Sequence, residues 1–159
     1  MMIKSVLIIT SGLLLSACGQ NESGTAKAAS PMQMASQEVA VERTTDFTRV
    51  SRGGSLFQTN CAECHGAAGE GDPNWHQRDA DGLFPAPPLN GTGHAWHHPQ
   101  KMLHYVIKNG SPGGQGKMPA WGDKLSDQEI EDIIAWFQAK WPQQVYEAWY
   151  RMDEKKRGG

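Results

Sequence analysis

Cys61-Ala62-Glu63-Cys64-His65 is the stretch that decides this chain. Cys-x-x-Cys-His is the spacing at which two thiols add across the vinyl groups of a porphyrin, and the histidine that follows is placed to bind the iron from one face. The motif therefore predicts one covalently attached haem c held by Cys61 and Cys64, with His65 as an iron ligand. Other uses of the cysteines fit poorly. A zinc site needs four ligands, usually two clustered pairs, and the chain has three cysteines in all. A thioredoxin-like pair needs a preceding strand and alternating strands and helices after it, and no such pattern is present.

Downstream, Gly116-Lys117-Met118-Pro119-Ala120-Trp121 offers a second ligand, Met118, 53 positions after His65. Histidine on one face and a thioether on the other raise the reduction potential of haem iron and leave no position open to substrate. Met102 is the rival methionine, but its place in an apolar helical stripe assigns it to the core.

Around these residues the chain reads as short helices and long loops. The first helix is expected from about Thr48 to Cys64, with Val50, Leu56 and Phe57 inward. Gly53 and Phe57 stand eight and four residues before Cys61, on one helical face. A second, from about Pro99 to Asn109, carries Met102, Leu103, Val106 and Ile107 at helical spacing and is closed by Gly110. The third opens on a capping box, Ser126 to Glu129, and repeats Ile130, Ile133, Ile134, Phe137 and Trp141 until Pro142. Val145, Tyr146, Trp149 and Tyr150 predict a further short amphipathic helix. The segment from Gly66 to His98 has no regular period. Loops of that length are uncommon without a function, and this one is expected to pass over the histidine side of the haem. A carbonyl from Pro85-Ala86-Pro87-Pro88-Leu89 would accept the free ring N–H of His65, and Leu89 would pack on the haem face.

The start of the chain sets the compartment. Lys4 precedes an apolar run, Val6 to Leu15, too short to span a bilayer, which reads as a secretion signal. It ends in Leu15-Ser16-Ala17-Cys18, which resembles the lipobox of bacterial lipoproteins, so Cys18 is expected to carry lipid as the first mature residue. All three cysteines are then used and no disulfide is expected. The residues after Cys18 are small and polar, with Met32 and Met34 as incidental thioethers, and read as a flexible tether to about Thr45. The domain organisation is thus residues 1–17 signal peptide, 18–45 tether, 46–142 haem domain and 143–159 C-terminal extension. The expected location is outside the cytoplasm, lipid-anchored to a bacterial membrane and facing the periplasm. Gly19, in place of an acidic residue, leans towards the outer membrane.

Composition agrees with a haem acting as a core element. Hydrophobic residues make up 38% of the chain and there are 18 glycines, a thin supply for a domain of about a hundred residues. Net charge is −2, one unit lower once Lys4 leaves with the signal and lower again with two propionates. No basic field is available for nucleic acid; Lys155-Lys156-Arg157 is a small solvated tip.

Gly53 and Phe57 before the haem motif, Pro88-Leu89 after it, Met118-Pro119 in a loop and a late amphipathic helix with aromatic residues together resemble the mono-haem, class I (His/Met) bacterial c-type cytochromes, here in lipoprotein form. The closer likeness is to the subgroup that also occurs as a haem module of oxidase subunits, over about Ser51 to Trp141. The resemblance implies an all-α small cytochrome c fold in which the first and last helices cross near Gly53, with Ile133, Trp136 and Phe137 at the crossing. It places Pro88 and Leu89 beside the haem.

His94, His97 and His98 stand apart from that pattern. A structural or haem-edge role is the leading reading; a second metal site or replacement of Met118 as ligand are the alternatives. His76 and His104 read as surface or boundary residues. No acid, base or nucleophile constellation appears, so the chain reads as an electron carrier and not an enzyme. Its expected partners are redox proteins (an oxidase, reductase or dehydrogenase) and, through Cys18, a membrane. A haem subunit of a larger oxidoreductase is a variant of this reading. A peroxide-reducing enzyme or a gas sensor is the competitor if Met118 does not stay on the iron.

Overall fold

A computed structural model describes Val41, Arg43 and residues 46–158. The signal, Cys18, Met32, Met34 and most of the expected tether lie outside the described residues. Among the described residues five helices follow in order, α1 Phe47–Asn60, α2 Ala62–His65, α3 Gln100–Asn109, α4 Asp127–Ala139 and α5 Gln143–Arg157, with single 3-10 turns at Ala95–His97 and Pro112–Gly114. The described residues contain no strand, only an isolated bridge between Phe84 and Gly116. None of their helices is long and apolar enough to cross a membrane.

Helix α1 begins where Asp46 accepts the amides of Thr48 and Arg49, at 2.9 and 3.2 Å, the bonding an N-cap supplies to otherwise orphaned donors. The sequence predicts one helix through Cys64; the structure breaks it at Cys61, whose φ of −120° leaves the helical range. The Cys61 carbonyl then starts α2 by accepting the amides of Cys64 and His65 at 3.2 and 2.9 Å.

α1 crosses α4 at Gly53. A Cβ on Gly53 would stand 1.9 Å from the Asp132 carbonyl oxygen and one on Gly54 would stand 2.8 Å from the Trp136 ring, so only glycines let the backbones approach this far. Phe57, Ile130, Ile133, Ile134 and Phe137 are buried around the crossing, each worth about 1.5–3 kcal/mol of apolar transfer. Asp132, which the sequence does not single out, is buried among them. It accepts hydrogen bonds from Arg49 at 3.1 Å, from Gln128 at 2.9 Å and from Arg52, so two cations of α1 hold one anion of α4. Burial raises the cost of its charge, but the bonds from Gln128, Arg52 and Arg49 outweigh it and hold the carboxyl below the usual range.

The capping box is present, Ser126 receiving the Glu129 amide and Glu129 receiving that of Ser126. Residues 143–157 form α5 and pack on the core through Trp149. Trp149 donates its indole N–H to the His98 carbonyl at 3.0 Å and Asp153 accepts the Gln100 amide at 2.8 Å. The first turn of α3 is therefore capped by α5, which a reading of local sequence cannot find. Pro99 stands just before α3 and not inside it. Arg43, within the segment read as tether, donates to the carbonyls of Gln138, Ala139 and Trp141 at 2.7–3.1 Å and lies over Tyr146. The folded unit thus reaches back to Arg43.

Candidate functional site

The Cys61–His65 turn is enclosed by the loop that follows it. After α2, Gly66 turns with a φ of 76°. Gly71 donates to the His65 carbonyl and Leu89 to that of Gly69, both at 2.7 Å, and Asp72 donates to Ala86 at 2.8 Å. These bonds lay Pro85–Leu89 across the turn. Gly71 itself has a φ of 69°, and a Cβ there would meet the Pro88 nitrogen at 2.5 Å, so glycine is required twice over. Trp141 fixes the far end by donating to the Leu89 carbonyl at 2.8 Å.

The result is a hydrogen bond from His65 Nδ1 to the Pro87 carbonyl oxygen, 2.9 Å. With its proton on Nδ1, the imidazole carries its lone pair on Nε2, the form a metal-bound histidine takes when its other nitrogen is anchored. Burial holds the ring below the ordinary histidine range, with the Pro87 carbonyl pulling the other way. Cys64 is exposed and Cys61 half-buried, and they are free thiols. Burial, then the charge of Cys64, push the Cys61 thiol up to about 11.

Met118 is half-buried and packs on the core, as do Leu56, Cys61, Leu89 and Trp121; Pro88 is buried. The Met118 loop is tied to the end of α3: Ser111 donates to the Met118 carbonyl at 3.0 Å, Trp121 to that of Ile107 at 3.1 Å and Gly122 to that of Lys108 at 2.9 Å. On its other side, Phe84 donates to Gln115 at 2.9 Å and accepts from Lys117 at 3.3 Å.

The extra histidines do not assemble a metal centre: among the described residues, no group of three or more His, Cys, Asp or Glu is placed to hold an ion. His94 stacks on Trp75 at 5.2 Å and meets His98 edge-on at 5.3 Å, while His97 packs against Trp96. Burial first, and the neighbouring histidines second, hold His94 below the usual range. His104 is at the boundary, 3.2 Å from Asp127, and His76 is exposed.

These residues fit a haem c. Two free thiols lie on the turn, the adjacent imidazole is oriented with Nε2 free, and a set of half-buried apolar side chains is packed on the core without being covered. Cys61 and Cys64 would form the thioethers, His65 and Met118 would supply the ligands, and Pro88 and Leu89 would flank the ring. Sequence reasoning anticipated the carbonyl partner of His65 as one of five residues; it passed over Asp79, Phe84 and Lys117, which hold the Met118 loop. Their only advance signal is the adjacency of Lys117 to Met118.

Residues 48–137 match the family described as Cytochrome C oxidase, cbb3-type, subunit III. The chain is similar to the gluconate 2-dehydrogenase cytochrome c subunit of Pantoea cypripedii, 28% identical over 95 residues that cover 56% of this chain and 20% of that protein. It is similar to the cbb3-type cytochrome c oxidase subunit CcoP of Azospirillum sp. (strain B510), 30% identical over 91 residues, covering 57% and 28%. Cytochrome c6 of Bryopsis maxima is 29% identical over 84 residues, covering 53% and 83%. The chain therefore spans less than a third of the length of the two subunits and most of the small cytochrome.

Proposed function

This chain belongs to the cbb3-type cytochrome c oxidase subunit III family of c-type cytochromes, and on that premise we propose that it is a membrane-tethered one-electron carrier with His65 and Met118 as its iron ligands. Electron carriage through haem c is what its cytochrome c relationship establishes; the ligand pair, the tether and the partners are our reading. The observation that carries the assignment of His65 is the 2.9 Å bond from its Nδ1 to the Pro87 carbonyl. It sets the tautomer and aims the ring before any iron is bound. When bound, the haem supplies a ferric/ferrous couple.

The chain's part is to hold that couple still. Cys61 and Cys64 would prevent loss of the group by covalent attachment. His65, pinned to Pro87, and Met118, pinned through Ser111, would be the residues that hold the iron, leaving it no place to bind substrate. Leu89 and Pro88 exclude water from the histidine side. Support for the membrane location is the apolar run from Val6 and the lipobox-like Leu15–Cys18. A lipid on Cys18 and a flexible lead would raise the effective concentration of the domain beside membrane-bound redox partners. Contact with those partners would be brief and of small area, as weak redox encounters are.

A second reading, a haem subunit within a larger oxidoreductase, is favoured by the subunits of a dehydrogenase and an oxidase among the similar proteins. Gentle solubilisation separates the two. A carrier leaves the membrane alone and a subunit leaves with its complex, while Cys18→Ser moves a carrier to the soluble fraction. Potentiometric titration of the purified holoprotein is expected to give one single-electron wave; steady reduction of peroxide by it would contradict the carrier reading.

A further inference from the structure

The long loop after the haem motif does more than cover His65. Its outer arm, residues 79–84, is a built turn. Asp79 accepts the amides of Asp81 at 2.9 Å and Leu83 at 3.1 Å through Oδ1, and its own amide donates to the Leu83 carbonyl at 2.9 Å. Arg78 closes the outside by donating to the Gly82 carbonyl at 2.6 Å, with its guanidinium over the Phe84 ring at 4.3 Å. With Oδ1 occupied by the turn, Oδ2 of Asp79 is free to face outward. It meets Lys117 Nζ at 2.5 Å, and Asp81 meets the same nitrogen at 3.2 Å. Beside this ion pair, Phe84 exchanges backbone bonds with Gln115 and Lys117. The segment immediately before Met118 is thus fastened on three counts to an arm that starts on the histidine side of the site.

Lys117 is half exposed and takes part in none of the core packing, whereas its neighbour Met118 is half-buried against the core. A side chain whose contacts lie outside the site, one residue from a side chain inside it, acts on the site through the backbone they share.

We propose that the Asp79–Phe84 arm is a clasp for the methionine loop, in which Asp79, Phe84 and Lys117 are positioning residues that keep the Met118 thioether on the iron. The proposal rests on the assignment of Met118 as ligand. It makes the persistence of the sixth ligand, and with it the closed character of the site, depend on a contact between two loops separated by more than thirty residues. Exposed ion pairs taken singly contribute little. Here the pair works with two backbone bonds and a preformed turn, and it acts on a loop whose displacement needs only local opening.

The test uses ferric holoprotein and free imidazole, which competes for the sixth position, followed by loss of the far-red sulfur-to-iron band. Lys117→Ala is expected to shift the imidazole midpoint down by about twofold to fivefold, and Lys117→Arg to restore most of the shift. Asp79→Asn keeps an acceptor for the turn amides while removing the charge that faces Lys117, and is expected to behave like Lys117→Ala with an unchanged far-UV helical signal. A band in the wild type with equal imidazole midpoints in all three variants overturns the clasp alone. No such band in the wild type overturns the ligand assignment, and the clasp with it.

Discussion

A buried carboxylate facing two half-exposed guanidiniums, Asp132 against Arg49 and Arg52, is the single-residue feature with the clearest stability consequence. Because the folded carboxyl is held below its ordinary value, the pair stabilises the fold above the unfolded carboxylate pKa of about 3.9 and loses that contribution as pH falls through the folded value. Asp132→Asn is expected to cost about 2 kcal/mol at pH 7, less than a fully buried pair because both arginines reach solvent. Denaturant midpoints of wild type and variant measured from pH 7 down to pH 3 should converge as acidity rises. A gap that stays constant across the range would show that the charge is not what Asp132 contributes. The sequence hides this residue for a physical reason. Arg49 and Arg52 share a helical face, but their common partner is visible only when α1 and α4 are crossed. His65 differs, since the nearby prolines narrowed its carbonyl partner to the five residues Pro85–Leu89, of which Pro87 is the one it meets.

At the scale of elements, the α1–α4 crossing is set by the missing side chain of Gly53. Gly53→Ala would place a carbon against the Asp132 carbonyl, a backbone atom that cannot swing away. Overpacking of this kind costs about 3 kcal/mol or more. The comparison is Ser51→Ala, at an exposed position of the same helix, where better helix propensity should leave stability level or slightly improved. Equal chemical midpoints for the two variants would mean that the helices do not cross here as tightly as described. The existence of α1, α3, α4 and α5 was legible, most clearly from the capping box at Ser126 and from the apolar spacing in α3 and α4, whereas α2 and the two 3-10 turns were not. What local sequence did not reveal were the supports that one element lends another: Asp153 of α5 capping α3, and Arg43 closing the carbonyl end of α4. The break at Cys61 was missed because nothing in residue type forbids a helix there. The turn is made by bonds from Cys64 and His65 back to the Cys61 carbonyl.

In the unit that starts at Val39, the haem motif lies between the first helix and a loop that doubles back over it. Among the described residues eleven apolar side chains are buried, a modest core for a domain of this size, and Cys61, Leu89 and Met118 pack against it half-buried. Two loops far apart in sequence, Pro85–Leu89 and Gly116–Trp121, bring an oriented imidazole and a thioether to one domain. Pro85–Leu89 is held by backbone bonds and meets the His65 ring through Pro87, and Gly116–Trp121 is held by backbone bonds that do not use the Met118 side chain. On the proposed reading, His65 and Met118 together close the iron to exchange. The most direct measurement of that closure is the optical spectrum of the ferric holoprotein, in wild type and in Met118→Ala. A low-spin spectrum with a far-red sulfur-to-iron band is expected in the wild type, lost in the variant; a high-spin wild-type spectrum, or a band that survives Met118→Ala, would contradict the ligand pair.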